Sequence, residues 1–171
     1  SVRSEAWKAA LSIEIGGGGA GTLRFALQSI HADVRREVLN EVMGLIQEPW
    51  AAALLLDLFA DPDAGVRGEA FEFSQKRTKG KAIEPLAAAL AGRHADLKLR
   101  TIEVLAKRRV EGARGLLEKA LTDESEKVRI AAVDTLLADE ASAAMESPHA
   151  DVRVRAAAAR AILGDVKALA P

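Results

Sequence analysis

Three histidines are the residues best suited to metal or acid–base chemistry here, because the chain has no cysteine and no tyrosine. Each opens the same tripeptide, His-Ala-Asp: His31 to Asp33, His94 to Asp96 and His149 to Asp151. Imidazole and carboxylate together can bind a divalent cation or relay a proton. The spacing argues against both. The second histidine lies 63 residues after the first, and the third 55 after that. Equivalent positions in separate repeated units cannot converge on one ion. His-Ala-Asp therefore reads as a turn, with its aspartate near free backbone N–H groups at a helix start. No metal site and no cofactor is expected. No persuasive Ser-His-Asp or paired-carboxylate arrangement is visible, and no catalytic residue is assigned.

The second chemical feature is cationic. From Arg67 to Arg114 there are 12 basic and 6 acidic residues, against 12 and 19 in the remainder, although the whole chain is nearly neutral at −1. The basic excess sits in two places: Lys76, Arg77, Lys79 and Lys81, then Lys107, Arg108 and Arg109. Such an edge suits an acidic peptide or phosphate. Cations at helix C-termini also complement the dipole, and that reading stays open. No aromatic residues interleave with these charges, so a stacking platform for single strands is not expected. Gly16 to Gly19 and Gly21 resemble a phosphate cradle only superficially. Thr22-Leu23 follows where a P-loop needs Lys-Ser or Lys-Thr, so the stretch reads as a connection.

The elements that must carry these residues repeat. Placing the arginine of each aliphatic-Arg pair in one column gives Arg3, Arg35, Arg67, Arg100, Arg129 and Arg153, at steps of 32, 32, 33, 29 and 24. The residue before each is Val2, Val34, Val66, Leu99, Val128 or Val152. Four residues after each stand Trp7, Leu39, Phe71, Val104, Val133 and Ala157. Both columns border one apolar stripe of a helix B. The stretch before each helix B has its own helical pattern, as in Ile83, Leu86 and Leu90. Each unit is thus helix A, a short turn, then helix B, and neither helix buries its apolar face unless units stack. The column arginines lie beside acidic turn residues and are expected to pair between units as a structural ladder.

The predicted hairpins are 20–30 with 33–46, 49–60 with 64–77, 81–91 with 96–109, 112–121 with 125–138, and 140–146 with 150–163. Residues 2–13 read as a helix B without its partner. The chain is therefore expected to be one domain, 1–171, cut from a longer array.

A two-helix unit of this length, with an acidic turn and Val-Arg opening helix B, resembles the HEAT repeat. The shorter steps are similar to the HEAT-like repeats of phycobilin lyases. The resemblance implies an all-α, right-handed superhelix of about five hairpins. Two enzymatic relatives do not fit the residues. The His-Glu pairs that hold iron in deoxyhypusine hydroxylase do not occur here. The HEAT-like alkylpurine DNA glycosylases use tryptophan, aspartate and arginine on a concave face; this chain has only Trp7 and Trp50, and their positions do not assemble such a site.

The reading is a non-catalytic scaffold for a protein partner, with an acidic partner at the Lys76–Arg109 edge. Nucleic-acid backbone binding at the same residues is the alternative, and a non-catalytic part of a lyase-type enzyme is a third. Because no apolar run reaches the ~18 residues of a membrane helix, no membrane is expected as a partner. A cytoplasmic location is the expectation.

Overall fold

The computed structural model describes Glu5, Ala9, and residues 20–48, 50–79, 82–108, 110–136 and 142–162. Arg3, Trp7, Lys81 and Arg109 lie outside the described residues. The chain divides into two compact units, Ser1–Arg77 and Thr78–Pro171. All the regular structure among the described residues is helical.

In the first unit, α1 (Ala20–Ala26) turns into α2 (Ala32–Gly44). Helix α3 (Ala51–Asp57) tightens into a 3-10 turn at Leu58–Ala60, followed by α4 (Ala64–Arg77). The first helix ends at Ala26, short of Ile30, because the Gln28 and Ser29 N–H groups bond to carbonyls three residues back. Helix α2 packs on both α3 and α4. Leu23, Val38, Leu39, Val42, Leu54 and Val66 are fully buried. Phe71 adds an edge-to-face contact with Phe59, ring centroids 5.7 Å apart. Phe73, two residues on, is half-buried.

The second unit contains α5 (Ile83–Ala91), α6 (Ala95–Lys107), α7 (Ala113–Ala120), α8 (Glu126–Leu136), α9 (Ser142–Met145) and α10 (Ala150–Ile162). Helices α6, α8 and α10 pack side by side in that order, and α5 packs on α7. Their core is aliphatic: Leu86, Leu97, Val128, Val133 and Val152 are buried. Thr101 is also buried, and its hydroxyl donates to the Leu97 carbonyl one turn back, which satisfies it without another partner. Gly112 precedes α7 with φ at 80°, a conformation that glycine adopts without a Cβ penalty.

The buried stripe corrects the third column of the sequence pattern. Leu97 is 2% exposed, whereas Leu99 is half-buried and Arg100 exposed. His94 flanks α6 as His31 flanks α2, which sets Leu97-Lys98 in register with Val34-Arg35. Ile102, not Val104, is then the buried residue four positions on. The column therefore runs Arg35, Arg67, Lys98, Arg129, Arg153, with steps of 32, 31, 31 and 24. Leu99-Arg100 looked right because it is also an aliphatic-basic pair. Which pair faces the core depends on where the helix starts.

Candidate functional site

The turns between paired helices share one hydrogen-bonding device. Six residues before each column arginine stands Ser29, Asp61, Asp123 or Ser147. Each side-chain oxygen accepts the N–H two residues ahead: His31 to Ser29 at 3.2 Å, Asp63 to Asp61 at 2.8 Å, Ser125 to Asp123 at 2.9 Å and His149 to Ser147 at 3.3 Å. This local bond closes the turn. The arginine then donates from Nη1 to the carbonyl of that same residue: Arg35 to Ser29, Arg67 to Asp61, Arg129 to Asp123 and Arg153 to Ser147. Arg67, Arg129 and Arg153 also reach the next carbonyl. These oxygens follow the end of a helix and would otherwise turn to water.

Two of these arginines, Arg35 and Arg129, also cross to the following turn, and so does Lys98. Arg35 grips Asp61 through Nε at 2.7 Å and Nη2 at 2.9 Å, and both side chains are almost wholly buried. Asp61 holds the Arg35 guanidinium's affinity for its proton above the ordinary value, chiefly through that hydrogen bond. In the second unit Lys98 pairs with Asp123, and Arg129 with Asp151. The change from Asp123 to Asp151 has a simple cause. The last turn has Ser147 where a carboxylate would stand, so Arg129 takes the aspartate four residues later. Partial desolvation pushes the Asp151 carboxyl up, but the Arg129 hydrogen bond and charge outweigh it, leaving it below the usual range. Asp63 is also held low, first by the Val66 N–H that it caps, with Arg36 adding its charge at 3.3 Å. Two exposed pairs, Arg36–Glu69 and Arg155–Asp134, tie neighbouring second helices together.

The histidines serve these turns through their backbone. His31 and His94 occupy the N-cap positions of α2 and α6 without a side-chain capping bond. Among the described residues, no group of three or more His, Asp or Glu is placed to hold a metal ion. No helix there is long and apolar enough to cross a membrane.

The basic edge divides between the two units. Lys76 and Arg77 end α4 and are exposed. In the second unit Lys79 is exposed with φ at 51°, Lys107 ends α6, and Arg108 follows it with extended backbone. Lys107 lies 3.8 Å from Glu103, both well exposed. Trp50 is half-buried just before α3.

Sequence reasoning missed Lys98, Ser29 and Ser147, whereas the acidic turns that hold Asp61 and Asp123 were legible. The signal was available: Ser or Asp recurs six positions before the arginine. No family model matches the chain, and no curated protein matches it.

Proposed function

We propose that the chain is a HEAT-like solenoid of about five hairpins that serves as a non-catalytic scaffold for an acidic protein partner. The observation that carries this reading is where the cations are used. The column residues spend their charge on turn carbonyls and on Asp61, Asp123 and Asp151. Lys76, Arg77, Lys107 and Arg108 instead stand exposed at the ends of second helices. Surface cations of this kind are weakly coupled to stability and are available for steering a partner. Within each unit the hydrogen-bonded turns fix the helices that carry them. Lys79, Lys81 and Arg109 belong to the same edge in sequence.

The test is fluorescence anisotropy with two probes: a glutamate-leucine peptide and a duplex DNA oligomer. The peptide should bind, retain affinity at moderate salt through its leucines, and weaken on charge reversal by Lys107→Glu with Arg108→Glu. Binding of DNA alone, with a steep salt dependence, would replace the scaffold by phosphate-backbone recognition. Peptide binding unchanged by the double reversal would remove the basic edge from the proposal.

A further inference from the structure

One step of the column is built with a different cation. Lys98 holds the position of Arg35, Arg67, Arg129 and Arg153, and its ammonium donates to Asp123 Oδ2 at 2.5 Å. The Arg35 guanidinium, by contrast, makes a hydrogen bond through each of its three nitrogens. An ammonium carries three N–H groups on one atom. Asp123 accepts one of them, and no other acceptor takes the remaining two among the described residues. The Lys98 side chain is only 13% exposed. It meets solvent in a groove of about 540 Å³, which Arg93, Lys119, Asp123 and Glu124 also line.

The charges of this groove do not cancel. Three cations face two carboxylates, a surplus of one positive charge. Asp123 is already occupied on both oxygens, Oδ2 by Lys98 and Oδ1 by the Ser125 N–H at 2.9 Å. Arg93 gives its Nε to His94 Nε2 at 3.3 Å, which leaves its charge uncompensated by that contact. Lys119, in the last turn of α7, is exposed and has no ion-pair partner among the described residues. Glu124 offsets one of the two.

We propose that this groove binds a carboxylate, taking an aspartate or glutamate side chain of a partner protein onto the two remaining N–H groups of Lys98, between Arg93 and Lys119. An ammonium partly stripped of water gains a charge-assisted hydrogen bond from each carboxylate oxygen that replaces it. The surplus sets the charge of the guest. A carboxylate brings one negative charge and matches it. A phosphoryl group brings nearly two at neutral pH and would leave an excess beside Glu124. Lys98 lies in the first turn of α6 and Lys107 ends that helix, roughly 13 Å away along its axis. The groove shares no residue with the basic edge, so its test stands whether or not that edge binds a partner.

The experiment is a nitrogen-15 NMR titration of the full chain with N-acetyl-glutamate amide, and separately with N-acetyl-glutamine amide and inorganic phosphate. The glutamate compound should shift the Gly92, Glu124 and Ser125 amides and the Lys98 ammonium signal saturably with one affinity, and the glutamine compound should not. Two exposed variants should move that affinity in opposite directions. Lys119→Gln should weaken it about threefold, and Glu124→Gln should strengthen it about threefold. Lys107→Gln, on the basic edge, should leave these shifts unchanged. Equal response to the glutamine compound, an unmoved Lys98 signal, or unchanged affinity in both groove variants would overturn the proposal. Loss of the shifts in Lys107→Gln would also overturn it, by assigning them to the basic edge. Tighter binding of phosphate than of the glutamate compound would overturn the choice of a carboxylate.

Discussion

Arg35 and Asp61 stand 26 residues apart and share two hydrogen bonds of 2.7 and 2.9 Å, with their side chains 6% and 3% exposed. Asp61 also closes its own turn through the Asp63 N–H and lends its carbonyl to Arg67. One aspartate thus fixes a turn, the arginine before it and the arginine after it.

Removing that carboxylate strands a buried guanidinium. Asp61→Ala is expected to cost about 3–5 kcal/mol. The exposed Arg155–Asp134 pair has similar geometry at 2.6 Å but side chains about half exposed. Asp134→Ala should therefore cost less than about 1 kcal/mol. Urea unfolding of the two variants decides the matter; similar losses would mean that burial does not set the strength of these pairs.

Lys98→Arg should stabilise the chain. The longer guanidinium can keep Asp123 and also reach the Gly92 carbonyl, as Arg35 reaches Ser29 at 2.7 Å. One added charge-assisted bond is worth about 1 kcal/mol. A thermal melt should show a higher Tm than the parent; a lower one would show that the second-unit step cannot hold a guanidinium.

Gly112 and Gly115 should respond to alanine in opposite ways. Gly112 has φ at 80°, and a Cβ there would come within 2.5 Å of Ile83 Cδ1. The left-handed backbone alone costs about 1–2 kcal/mol for alanine, although the Ile83 tip can move. Gly115 lies inside α7 with nothing within 4 Å of a built Cβ. Gly115→Ala should gain about 0.5–1 kcal/mol. Chemical denaturation of the two single variants reads both signs.

Stability should fall in acid through Asp63 and Asp151. Both carboxyls are lower in the folded chain than the ordinary value, so the folded state binds fewer protons than the unfolded state. Their contribution is complete above the unfolded aspartate value of about 4 and is lost as pH drops through the lower folded values. Melts from neutral pH downward should show Tm falling below about pH 4, and Asp63→Asn with Asp151→Asn should flatten that fall. An equally steep fall in the double variant would assign the acid sensitivity to other groups.

Much of the local architecture was legible in the residues. Val34, Val66, Val128 and Val152 recur beside arginine, and each is buried. Period-3.6 patterning reports which face of a helix is apolar, because that face has nowhere else to go. The Ala64–Arg77 helix was read to the residue. The same pattern misassigned the third unit, where Leu97-Lys98 and Leu99-Arg100 are both aliphatic-basic pairs. Only the start of α6 chooses between them, and that start depends on how the turn closes.

The sequence by itself determined the helices and the short turns between them, since these follow from periodicity and short-range turn chemistry. Tertiary structure decided where each cation ends. Arg35 could reach several nearby carboxylates along the chain, but packing brings Asp61 to it and buries both. It sends Arg129 past Ser147 to Asp151, and it gives Lys98 rather than Arg100 the inward place. An ion pair is set by distance and by exclusion of water, and spacing along the chain encodes neither.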